Sequence, residues 1–276
     1  MLKLVSFLSG AALLVSTAPG FALEDEKSLA KASISFLKKN HFSEYLSLPL
    51  EHDINFRYLS RYTNQNVLSF KPVVPLKLGS DYDLIIRTIA PVYENTPLPN
   101  QEGTIRGTGD LNPTFFITPK YFDKWVLGLG PTVFMPTTSN SQYLASNKWS
   151  VGPEFAAMAI LENWMYGLLT YNVYATAPDS NRIKSSQFSF QYLLAYTFDN
   201  GWYVSTNPNI TANWQNDKNQ KWLVPFGLGG GKTFYLGKQG FNLSSHAYYN
   251  AIRPENIGPA WQFQLEMELL FPVKSS

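Results

Sequence analysis

The chain has 276 residues, no cysteine, 15% charged residues and a formal net charge of +2. So small a charge excludes nucleic acid as the main partner, because phosphate recognition needs concentrated Lys and Arg. The absence of Cys excludes disulfides, thiolate metal sites, Cys nucleophiles and a lipoprotein anchor, and it suits export through an oxidising compartment.

Met1-Leu2-Lys3 is a short basic start, residues 4–18 are mostly apolar or small, and Gly20-Phe21-Ala22 puts small residues where a signal peptidase reads them. Residues 1–22 therefore read as a secretory signal peptide cleaved after Ala22. The apolar run is too short for a retained membrane helix, and no later run reaches the required length. Residues 23–52 read as a periplasmic N-terminal segment. Within it Leu29, Ala32, Phe36 and Leu37 share one side at helical spacing, which predicts a short helix.

From residue 53 to residue 273 the chain alternates with period two. Twelve segments follow one another: 53–62, 66–78, 82–94, 108–119, 124–137, 148–161, 164–177, 184–198, 201–215, 221–236, 240–252 and 260–271. Most exceed the about 5–6 residues usual in soluble strands and approach or pass the 9–11 that a tilted membrane strand needs. The last segment is the cleanest. Trp261, Phe263, Leu265, Met267, Leu269 and Phe271 alternate with Gln262, Gln264, Glu266 and Glu268. At about 3.3 Å per residue and a tilt near 40°, residues 261–271 span roughly 28 Å, against an apolar band of about 25 Å.

Connections alternate too. Gly79-Ser80-Asp81, Asp123, Glu162-Asn163, Asp199-Asn200 and Gly237-Lys238-Gln239 make tight turns, whereas residues 95–107 and 138–147 make longer loops. Trp125, Trp164 and Trp202 open strands after tight turns. Trp149, Trp222 and Trp261 open strands after long loops, and Trp214 closes one. Two belts of Trp at strand ends suit the two membrane–water boundaries. The fold class is thus all-β: a transmembrane antiparallel up-and-down barrel of about 12 strands with both termini in the periplasm.

Closure requires the first strand, Asp53–Tyr62, to pair with the last, Ala260–Phe271. Aligning their periplasmic ends puts Ile54 near Leu269 and Arg57 near Glu266, with Ile54, Phe56 and Tyr58 facing lipid. Parity directs Arg57, Arg61, Lys71, Lys77, Arg87, Glu154, Asn207, Asn209, His246, Glu266 and Glu268 into the lumen. Glu266 and Glu268 are expected to pair with basic residues there rather than act as an acid–base pair. Asn207, Asn209, Thr211, Asn213 and Gln215 form a polar inner face.

"GLGGGKT" is not a phosphate loop, because Phe226 stands where that pattern needs Gly; its glycines instead make room for bulky neighbours. His41, His52 and His246 have no metal-ligand spacing, so no metal or other cofactor is expected. His246, near Ser244 and Asn250, could serve a hydrolase, but its inward parity favours hydrogen bonding in the lumen.

The stretches "GTGDLNPTFFITPK", "WVLGLGPTVFMPTT", "NKWSVGPE", "GWYVSTNPNITANW", "GGGKTFYLGKQGFNLSSHAYYN" and "LLFP" resemble the bacterial outer-membrane proteins grouped as the meta-pathway of phenol degradation family. The resemblance covers residues 48–273 and implies an outer-membrane barrel with a transport role. It carries over no catalytic residues. The aromatic end of the last strand resembles the signal read by barrel-assembly machinery, although Pro272-Val273-Lys274-Ser275-Ser276 follows Phe271. The expected function is a channel or transporter for small molecules, hydrophobic or aromatic compounds among them, held in outer-membrane lipid and not an enzyme. The alternatives are an outer-leaflet lipid hydrolase using His246 and a structural barrel whose outer loops bind partners.

Overall fold

The computed structural model describes residues 45–58, 63–98, 102–122, 125–140, 143–145, 148–175, 186–237, 239–255 and 258–272. The expected signal peptide, the expected N-terminal helix and Arg61 lie outside them.

Strand β1 runs over Tyr45–Tyr58, β2 over Thr63–Phe70 and Val73–Leu78, β3 over Tyr82–Pro97, and β4 over Thr104–Gly107 and Asn112–Pro119. Next come β5 (Trp125–Phe134), β6 (Ser150–Leu161), β7 (Trp164–Ala175) and β8 (Ser186–Thr197). Strand β9 spans Trp202–Thr206 and Asn209–Asn213, followed by β10 (Trp222–Leu236), β11 (Gln239–Ile252) and β12 (Trp261–Pro272). Pro72 and Pro208 lie in the breaks of β2 and β9, where a residue without an N–H cannot donate to a ladder.

Each strand pairs antiparallel with the next, and β12 returns to β1 from Tyr45↔Pro272 to Phe56↔Trp261. The result is a closed 12-strand barrel. Closure leaves no open edge, as lipid demands. The surface is inverted relative to a soluble fold. Phe226, Leu228 and Leu236 are 73%, 65% and 63% exposed, whereas Glu51, Asp83, Thr114, Glu154 and His246 are buried. Trp125, Trp164 and Trp202 begin their strands at the tight-turn end. Trp214, Trp222 and Trp261 lie at the opposite end, where the rings of Trp214 and Trp222 meet edge to face at 5.4 Å.

Four expectations are corrected. The barrel begins at Tyr45, not Asp53: Pro49, and His52 opposite outward Leu265, disguise a strand whose Leu46, Leu48, Leu50 and Ile54 all point outward. The seam register moves with it, so Ile54 faces Phe263 rather than Leu269, and Glu266 faces Glu51 rather than Arg57. Arg57 has a left-handed φ of 56°, and the β1–β2 register shifts between Phe56 and Tyr58. An extra residue at a bulge leaves the ladder and resets parity beyond it. Tyr58 accordingly pairs with Thr63 on the inward side and Arg57 is exposed. The loop expected over 95–107 is also partly strand, since Glu94–Pro97 pair with Thr104–Gly107.

Candidate functional site

The "GLGGGKT" stretch lies on β10 and shapes one wall of the lumen. Gly227, Gly229 and Gly231 point inward, opposite Tyr248, His246 and Ser244 of β11. Without side chains there, groups from β9 and β11 reach each other across β10. The Tyr203 hydroxyl donates to Asn242 Oδ1 at 2.9 Å, Ser205 Oγ lies 2.8 Å from His246 Nε2, and the Tyr248 hydroxyl donates to Asn207 Oδ1. A Cβ on Gly229 would come within 2.0 Å of the Ser245 carbonyl and 2.6 Å of His246 Cδ2, and one on Gly231 within 2.3 Å of the Leu243 carbonyl and 2.5 Å of the Tyr203 hydroxyl. These glycines are spacers for a polar lattice.

The same device recurs opposite. Gly130 of β5 pairs with Glu154 of β6, and across that gap Thr114 of β4 donates to Glu154 Oε2 at 2.7 Å. Arg87 of β3 brings Nη1 to 3.6 Å from Glu154 Oε1, and the Thr132 hydroxyl lies 2.7 Å from that of Thr114. Glu154 is fully buried. A buried carboxylate requires such a counter-charge and donor together.

The seam carries a third cluster. Glu51 of β1 stands directly opposite Glu266 of β12 and pairs ionically with Lys71. Gln264 donates to Asp53 at 3.1 Å, while Glu268 accepts from Ser47 and from Asn242 Nδ2 at 3.2 Å. Among the described residues, neither Glu266 nor Glu268 takes part in an ion pair. The expected pairing of these two with basic residues is therefore corrected: Lys71 serves Glu51, and Arg87 serves Glu154.

These clusters frame a lumen cavity of about 450 Å³. Its polar wall comes from β9, β11 and β12, with Tyr203, Asn207, Asn242, His246, Glu266 and Glu268. The facing wall, from β3 to β8, is apolar, with Ile85, Phe116, Met158, Met165, Leu169 and Leu193. Arg87 also reaches the cavity. Of the other lumen candidates, Lys71 and Glu154 sit in the ion pairs described, Asn209 accepts from Ser189 at 2.6 Å, Arg57 lies on its bulge, and Arg61 is outside the described residues. Sequence reasoning does not reach Glu51, Ser205 or the apolar wall. Alternation traced back to Leu46 would have found Glu51.

Ser205 and His246 have the spacing of a nucleophile and its base, but His246 Nδ1 has no hydrogen-bond partner. An acyl-transfer triad needs a carboxylate at that nitrogen to fix the tautomer, so the pair is incomplete as a catalyst. Among the described residues no group of three His, Asp or Glu side chains is placed to hold a metal ion.

A family model described as "Putative MetA-pathway of phenol degradation" matches residues 59–267. No curated protein matches the sequence. Among solved structures, the COG4313 outer membrane channel from Pseudomonas putida F1 superposes with a TM-score of 0.60 at 15% identity, covering 82% of this chain and 94% of that one. The NanC porin gives 0.49 at 9% identity over 83% and 100%, and the Pseudomonas putida toluene transporter TodX gives 0.41 at 11% over 87% and 92%. The first likeness identifies the fold as that of an outer-membrane β-barrel; the other two are too distant to argue from.

Proposed function

The chain belongs to the family whose model it matches over residues 59–267, and from that premise we propose that it is an outer-membrane channel for small molecules. One observation carries the reading: a closed barrel encloses a 450 Å³ cavity lined by one apolar and one polar wall. That volume lies in the range of small-molecule sites, about 300–1,000 Å³. A barrel that only anchored surface loops would have no need of such a lining. The family description connects its members with phenol degradation, and a small aromatic compound would use both walls. Export by the N-terminal signal and insertion by barrel-assembly machinery reading β12 complete the proposal.

Purified protein reconstituted into liposomes should admit small neutral solutes, read as osmotic swelling with arabinose. Liposomes that swell no faster than protein-free controls, for arabinose and for phenol alike, would refute the channel.

A further inference from the structure

We propose that the lumen cavity selects amphipathic organic cations, namely a primary ammonium group carried on a compact apolar or aromatic body. The inference deepens the channel reading and rests on it for the direction of transport, though not for binding.

Three observations converge on it. First, the charge lining the cavity is unbalanced. Arg87 is met by Glu154, and Lys71 by Glu51. Glu266 and Glu268, both on the cavity wall, are left without a cation among the described residues. Asp53 stands behind them, accepting from the neutral Gln264 at 3.1 Å. Second, the seam sets Glu51 against Glu266 at one register position. Ionised together, two carboxylates directly opposite on neighbouring strands would destabilise the sheet, and departures from local consistency gather at functional sites. A mobile cation between the strands would relieve this one. Third, His246 is only 4% exposed, lines the cavity and keeps Nδ1 without a partner. It pairs with Gln264 and so lies diagonal to Glu266 across β11 and β12, about 7–8 Å away.

The chemistry follows from the donor count. An ammonium group has three N–H donors and no acceptor. Glu266 and Glu268 offer carboxyl acceptors, which an ammonium group beside them would draw into the charged form. If His246 gives its Nε2 proton to Ser205 Oγ, Nδ1 becomes a third acceptor pointed from the same wall. An anion would meet two carboxylates, and a neutral alcohol could satisfy only part of this set. The body of the ligand then rests on Ile85, Phe116, Met165 and Leu193 opposite. A metal ion would gain nothing from that apolar wall.

The test uses three probes of one shape: phenethylammonium, 2-phenylethanol and phenylacetate. Calorimetry on the refolded full barrel in detergent should rank them in that order, a result that requires no variant. Glu266→Gln combined with Glu268→Gln should weaken phenethylammonium about tenfold to a hundredfold, the value of one or two charge-assisted hydrogen bonds, and leave 2-phenylethanol unchanged. Phe116→Ala should weaken both of these ligands. Equal affinity for all three probes, preference for phenylacetate, or indifference to the paired Gln substitutions would overturn the proposal. Arabinose swelling on the same preparation separates the two readings. Swelling without cation preference refutes the cation site alone; cation binding without swelling refutes the channel alone.

Discussion

The Arg87–Glu154 pair offers a sharp test of how the lumen is held. At 3.6 Å and an effective dielectric near 20, the gross attraction is about 4–5 kcal/mol. Desolvating both groups offsets much of it. Glu154 is fully buried, while the Arg87 side chain keeps 21% of its surface exposed, so solvent recovers part of the lost charge when its partner goes. The coupling expected from a double-mutant cycle is therefore about 1–3 kcal/mol. Glu154→Gln retains an acceptor for Thr114 but turns an amide N–H toward a guanidinium, and should cost about 2–3 kcal/mol. Arg87→Gln strands the carboxylate and should cost at least as much. The double variant should be more stable than the sum of the two losses. Urea unfolding in lipid vesicles, followed by Trp fluorescence and by the gel mobility of folded barrel, measures all four forms. Additivity within about 0.5 kcal/mol would refute the pair as a structural tie.

Two further outcomes test the wall and the surface. Gly229→Val should push His246 away from Ser205 and cost about 1–3 kcal/mol through overpacking, with Gly229→Ala milder in the same urea assay; full tolerance of Val would contradict the spacer role. Leu228→Arg, on the outward face of β10, should cost about 2–4 kcal/mol if that residue lies near the bilayer midplane, and an unchanged urea midpoint would place Leu228 away from lipid.

The twelve strands were legible because alternation over membrane length is a strong and repeated signal, reinforced by the tight turns and the Trp residues at strand ends. The seam partners were not. Assigning residues 45–52 to a lead-in displaced the β1–β12 register by six positions, from Ile54 opposite Leu269 to Ile54 opposite Phe263. Because side chains alternate with period two, an even slip keeps every face and changes every partner. Ile54, Phe56 and Asn55 therefore kept their predicted sides, while Arg57 and Glu266 lost each other. Tyr58 was misread for a different reason, since a single bulge residue reverses parity and has no signature in composition. The apolar wall escaped notice because β5 to β8 carry small or apolar residues inward as well as outward, such as Val126, Ala156, Met158 and Leu169. Where both faces are apolar, alternation has no contrast to show.

The seam itself yields the last prediction. What holds β1 to β12 is the backbone ladder, together with outward pairs such as Leu48–Leu269, Leu50–Met267 and Ile54–Phe263. On the inward face Glu51 stands opposite Glu266, and two carboxylates there, when both are ionised, would work against that ladder. Lys71 neutralises one carboxylate only. Replacing Glu266 by Lys puts an opposite charge across from Glu51, and a favourable cross-strand pair is worth up to about 1 kcal/mol. Glu266→Lys should therefore raise the urea midpoint above that of the natural protein, an uncommon outcome for a charge reversal inside a barrel. The same change removes an acceptor from the cavity wall and adds a fixed cation, so phenethylammonium binding should be lost while the barrel becomes more stable. A stability gain bought with lost binding is what a site maintained against its own fold would show. If Glu266→Lys destabilises the barrel, the seam carboxylates are part of its scaffold, and the strain assigned to them is absent.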